Sequence, residues 1–117
     1  MKQVIFDTNK YSVFLLYYHL VLVTKYRIRV ITDSISKRLE EIFKRVGEKH
    51  YVILEKWGAE KDHVHILFRA RPSTHLSRFI NAYKSTSSRL IKRSDRSSGK
   101  EIKKLSANIY AVPWWYL

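Results

Sequence analysis

The sequence predicts an α+β domain, an antiparallel sheet with helices on one face, and three observations carry that prediction. Residues 51–57 (YVILEKW) and 63–69 (HVHILFR) read as two strands of a hairpin, joined by the turn GAEKD. Apolar residues recur at helical spacing in two separate segments, Ile35–Val46 and Leu76–Ile91. Strand-like segments also open and close the chain, so the order is strand, helix, strand, strand, helix, strand. That is the split β-α-β-β-α-β, or ferredoxin-like, arrangement.

Each element has its own warrant. The first ten residues, MKQVIFDTNK, are mixed and read as an arm. Residues 13–25 (VFLLYYHLVLVTK) are apolar on both parities, as in a central strand covered on both faces, and a basic turn, KYRIR, follows at 25–29. Asp33 is placed to cap a helix whose apolar stripe is Ile35, Leu39, Ile42, Phe43 and Val46, ending near Gly47 and Lys49–His50. In the strand at 63–69, Val64, Ile66 and Phe68 share one parity, and His63, His65, Leu67 and Arg69 share the other. Pro72 breaks that strand, and Ser73 or Thr74 can cap the second helix. Leu76, Phe79, Ile80, Tyr83, Leu90 and Ile91 form its apolar stripe, opposite Arg78, Asn81, Ser85, Arg89 and Lys92. Residues 93–104 form a basic loop, and LSANIYAVPWWYL reads as a last strand.

Composition narrows the function. The chain has 117 residues, which suits one domain, and 45% hydrophobic content, enough for a core. It contains no cysteine, which excludes a disulfide framework, a thiolate metal site and a thiol nucleophile. The apolar stretch Val13–Val23 is interrupted by Tyr17, Tyr18 and His19 and is too short for a transmembrane helix, so a soluble, cytoplasmic protein is expected. A net charge of +13 favours polyanions, and the three Trp, eight Tyr and five Phe beside it favour unpaired bases.

The stretch EKDHVHILF at 60–68 concentrates the chemistry. His63 and His65 stand at i and i+2 on a strand, so both imidazoles leave the same face. If Val64, Ile66 and Phe68 meet the helices, the histidines lie on the open face; a bulge in that strand would reverse this. One imidazole alone reads as an ordinary half-buried histidine. Two from one rigid element can begin a metal site, with a third ligand from Glu60 or Glu55 and with Asp62 orienting an imidazole from behind. Imidazoles alone suit zinc or another transition metal; added carboxylate and phosphate oxygens open the site to manganese or magnesium.

Three blocks, YYHLVLVTKYR at 17–27, KDHVHILF at 61–68 and INAYKSTSSRLIK at 80–92, give the sequence a likeness to a known family. It resembles the single-tyrosine HUH (His-hydrophobic-His) transposases of simple insertion sequences, including the repetitive-element-associated group, over roughly residues 15–117. His19 and Thr24-Lys25-Tyr26-Arg27 correspond to the family's first strand and turn, and Lys84 with Ser87-Ser88-Arg89-Leu90 to its second helix. The resemblance implies a dimer acting in DNA transposition. A divalent ion, Mg²⁺ or Mn²⁺, would sit on His63, His65 and, less securely carried over, Glu60, and single-stranded DNA hairpins would be cleaved and rejoined through a covalent 5′-phosphotyrosine. It places the nucleophilic tyrosine on a helix beyond the last strand. Residues 108–117 correspond to that strand, so the expectation is a catalytic domain, 1–117, lacking that helix, with no nucleophile assigned and cleavage in doubt. Tyr83 belongs to an apolar stripe, and Tyr110 and Tyr116 read as packed strand residues.

The DNA contacts expected are Lys25, Tyr26, Arg27 and Arg29 at the first turn and Arg78, Lys84, Arg89 and Lys92 on the second helix. For the helix residues a merely solvated face is an equal reading. Tyr26 and Trp57 are candidates for base stacking, with core packing at least as strong a reading for Trp57. Two other functions are open: a ferredoxin-like RNA-binding module without catalysis, and a small structural metal protein. The first calls for a glycine-containing aromatic strand motif, and HVHILFR has no glycine.

Overall fold

The computed structural model describes residues 15–94 and 105–112, with the backbone alone for 92–94. Residues 93 and 94, expected in the basic loop, are instead helical, and the rest of that loop, the expected arm at the start, Lys92 as a side chain, and Trp114 to Leu117 with Tyr116 lie outside the described residues. Strand β1 spans Leu16–Val23, helix α1 Asp33–Lys49, β2 Val52–Ala59, β3 His63–Ala70, helix α2 Leu76–Ser94 and β4 Ser106–Val112, with a short 3₁₀ turn at Lys25–Arg27. The strands form one antiparallel sheet in the order β2-β3-β1-β4, the ferredoxin-like topology that the element order predicts.

Apolar periodicity sets the layering. Leu20 and Leu22 of β1 and Val64, Ile66 and Phe68 of β3 are fully buried against Leu39, Ile42 and Phe43 of α1 and Phe79, Ile80 and Tyr83 of α2. Phe43 is the hub. Its ring meets Phe79 at 5.1 Å and Tyr83 at 5.3 Å, both edge to face, and Phe68 at 5.8 Å. The buried Tyr83 hydroxyl donates to Leu39 O at 3.0 Å, tying the two helices together.

Four further details depart from expectation. The cap of α1 is Thr32, whose side chain accepts from Ile35 N at 3.2 Å; Asp33 is instead the first helical residue, where its charge suits the dipole. Thr74 does not offer its hydroxyl to α2 but donates it to His50 O at 3.1 Å, securing the end of α1. β2 runs on through Gly58 and Ala59, so the hairpin loop is tighter than the sequence suggests. β1 begins at Leu16, and its second face is only half covered, with both described helices packed on the other face.

A bulge does occur, but on β2, where Glu55 is skipped between Leu54 and Lys56. The register of β3 against β1 is continuous, so the parity of His63 and His65 stands. Three rows cross the open face in consequence. Gly58, His65, Val21 and Asn108 make one, Lys56, Leu67, His19 and Tyr110 the next, and Ile53, Arg69, Tyr17 and Val112 the third.

Candidate functional site: the histidine face

The site begins at the turn after β1. Thr24 is buried and donates its backbone N–H to Asp62 O at 3.0 Å. Its hydroxyl lies 2.7 Å from Ile28 O and 3.2 Å from Asp62 O, so one proton holds the turn closed and holds it to the start of β3. Lys25, Tyr26, Arg27 and Arg29 are all exposed around this anchor. Tyr26 (φ 59°) and Arg27 (φ 55°) are held in the left-handed region, which non-glycine side chains rarely adopt.

That strained turn aims Arg27 at Asp62. Arg27 Nε donates to Asp62 Oδ2 at 2.8 Å, and His63 Nδ1 lies 2.7 Å from Asp62 Oδ1. The Arg27 guanidinium, and then His63, hold the Asp62 carboxyl below its usual range, at about 2. At neutral pH Asp62 is therefore an acceptor only, and the proton between it and His63 resides on Nδ1. When the ring is neutral, its Nε2 lone pair is left free. This is the carboxylate–histidine arrangement that orients a metal-binding imidazole, so Asp62 has the supporting position expected of it.

His65 is exposed one step further along the same face. Its ring is 4.8 Å from that of His63, nearly perpendicular, and 5.5 Å from that of His19, nearly parallel. Desolvation first, then the neighbouring His63 and His19, push its pKa down, while Glu60 opposes them. His65 thus favours the neutral state that ligation needs.

The other candidates separate clearly. Glu60 is exposed, donates its backbone N–H to His63 O at 2.8 Å, and is the carboxylate whose charge reaches His65. Glu55 is not available as a ligand. It sits in the bulge and pairs with Arg69, four residues beyond His65, about 13 Å along the strand. Among the described residues no group of three or more His, Asp or Glu is arranged to hold a metal ion. His63 and His65 supply two nitrogens, and the donor set fits part of a divalent site.

Trp57 turns inward. It packs edge-on against Phe43, its indole N–H donates to Ser36 Oγ at 3.0 Å, and it is no platform for a base. Tyr110 is the reverse case. The strand reading has it packed, but it is 56% exposed on the open face, 6.5 Å from the His19 ring. Arg78 and Arg89 are exposed and Lys84 half-buried on α2, in the helix layer, so the fold places them on the side of the sheet away from the histidines. Sequence reasoning missed the contact of His19 with His65 and the link from Arg27 to Asp62. Each depends on strand register over a long separation; only the parity of His19 and the TKYR block hinted at them.

The architecture is that of solved transposases. A crystal structure of a Deinococcus radiodurans protein assigned as a transposase superposes with a TM-score of 0.77 at 24% identity, over 93% of this chain and 88% of that one. A REP-associated tyrosine transposase bound to a REP hairpin superposes at 0.64 with 9% identity, over 92% of this chain and 63% of the other. Residues 12–111 match the model of the IS200-like transposases, and the chain belongs to that family. It is also 30% identical over 77 residues, 66% of its length, to the ISDra2 transposase TnpA of Deinococcus radiodurans. The match spans about half, 55%, of that relative's length.

Proposed function

We propose that this chain acts in DNA transposition as the hairpin-binding and metal-binding part of a single-tyrosine transposase, working in the cytoplasm as a homodimer. The observation that carries the reading is the chain Arg27–Asp62–His63, which fixes one imidazole of an HVH pair on the open face of a basic, IS200-family domain. Thr24 and Arg27 hold Asp62, Asp62 orients His63, and His65 stays neutral beside it. His63 and His65 would hold a divalent ion, Mg²⁺ or Mn²⁺, with Glu60 as the third ligand, and an ion held there would supply Lewis-acid polarisation of a phosphoryl oxygen. Lys25, Arg27 and Arg29 take the backbone of single-stranded DNA near this end, and Tyr26 a base. Arg78, Lys84, Arg89 and Lys92 belong to a second contact, around the sheet on the helix layer. Among the described residues β2 and β4 are the outer strands of the sheet, and extension across one of these edges is the simplest dimer.

Cleavage requires a tyrosine to attack the scissile phosphate. Among the described tyrosines, Tyr83 is buried and its pKa pushed up by desolvation, so it does not serve. The test is to mix the protein with labelled hairpin single-stranded DNA and Mn²⁺, then run a denaturing gel and peptide mapping. An adduct that vanishes in His63→Ala establishes cleavage and names the tyrosine. Binding without an adduct assigns the chain to hairpin recognition alone. Failure to bind, with metal still held, sinks the reading in favour of a structural metal protein.

A further inference from the structure

The end of the sheet remote from the histidine pair carries a feature that the metal and its hairpin do not use. Tyr51 follows α1 directly, one residue past the cap residue His50, where the chain turns into β2. Its φ is 59°, the left-handed conformation that commonly ends a helix and that glycine or asparagine normally supplies. The turn explains the backbone angle; it does not explain a tyrosine there. The ring gains little from burial, since the residue is 58% exposed. Instead, Arg71, just beyond β3, sets its guanidinium 4.2 Å from the ring centroid. One row inward, Arg69 lies 5.9 Å from the Tyr17 ring and is held by Glu55 in the β2 bulge.

The same device stands at the other end. Tyr26, also at φ 59° and 82% exposed, has Lys25 Nζ 5.1 Å from its ring centroid. Two cation-backed tyrosines in a costly backbone conformation thus bracket the eight-residue strand that bears the histidines, a span of about 26 Å. Exposed aromatic faces backed by positive charge on a chain of net charge +13 suit a ligand with both bases and phosphates. A duplex keeps its bases stacked inside; an unpaired strand offers them.

We propose that Tyr51 with Arg71, flanked by Tyr17 and Arg69, is a stacking ledge for unpaired bases of single-stranded DNA leaving the histidine end of the face. The inference rests on the single-stranded DNA reading above and adds the course of the strand.

The test is fluorescence anisotropy on a labelled DNA hairpin, blunt or carrying a single-stranded thymidine tail on its 5′ or its 3′ side. One tail tightens binding to the wild-type protein. Tyr51→Ala loses that gain, about 5- to 100-fold, while blunt-hairpin affinity stays within about twofold. Tyr51→Phe retains the gain because the ring remains. Arg71→Gln loses part of it, and thermal unfolding shows that all three variants fold. Tyr51→Ala binding the tailed hairpin like wild type overturns the ledge and leaves the hairpin reading intact. A tail that adds nothing to the wild type, or adds more as RNA than as DNA, overturns it also. Absence of all DNA binding by the wild type removes both readings together.

Discussion

Asp62 joins the basic turn to the histidine pair, and its replacement separates positioning from ligation. Asp62→Asn keeps the shape but weakens the grip on the His63 N–H, and should lower Mn²⁺ affinity about 10- to 100-fold by calorimetry, with His63→Ala as the full-loss reference. The carboxyl, held at about 2 against an ordinary 3.8, also links folding to pH. The folded state binds its proton less readily than the unfolded chain does. Its contribution is therefore complete above pH 3.8 and lost as pH falls toward 2. Thermal midpoints measured from pH 5 to pH 2 should decline in this window, and less so in Asp62→Asn. For His65 the depressed pKa has the same sign at a higher pH: its contribution is present above the ordinary 6.5 and declines below it. An NMR titration should place the His65 midpoint under 6.5.

Element geometry depends on a few junctions. Gly47 lies where α1 meets β2, and a Cβ there would come within 2.9 Å of Val52 O and 3.4 Å of Val52 Cβ. Neither is the free end of a flexible side chain, so Gly47→Ala must push α1 off the sheet. The loss should be about 1–3 kcal/mol in urea unfolding, despite alanine's better helix propensity. Thr32→Ala removes the acceptor for Ile35 N and should destabilise by about 1 kcal/mol in the same assay. The bulge at Glu55 sets which side chains of β2 face the core. It lets Leu54 and Trp57 both face the core although they are three residues apart, and it turns Ile53 and Lys56 to the open face. Without it, strict alternation would put Trp57 and Leu54 on opposite sides of the sheet.

The whole molecule divides two kinds of positive charge between two layers. The turn at 25–29 adjoins the histidine face, whereas Arg78 and Arg89 stand on the helix layer behind it. A folded hairpin has to reach around an edge of the sheet to touch both. Phosphate contacts release counterions, so log affinity for hairpin DNA should fall linearly with log salt. Arg89→Ala should reduce that slope by about 1, as removal of one phosphate contact does. Tyr26→Ala should weaken binding with the slope unchanged, because stacking releases no ions. Anisotropy titrations across a salt series measure both. No described helix is long and apolar enough to cross a membrane.

By itself the sequence determined the element order, both helix stripes and the parity of β3. These are local: a period of two or of 3.6 is written in consecutive residues, and a one-residue slip would turn Val64, Ile66 and Phe68 out to solvent. It also marked out His63 and His65, since two imidazoles at i and i+2 share a face in any regular strand. The tertiary structure alone decided what surrounds them. That Arg27 reaches Asp62 across 35 positions follows from the left-handed turn anchored by Thr24. That His19 stacks on His65 follows from the β1–β3 register. Trp57 turned inward at a bulge and Tyr110 turned outward at the edge strand for the same reason. Which face of a strand a residue takes is set by pairing partners far along the chain, and no window of neighbouring residues contains them.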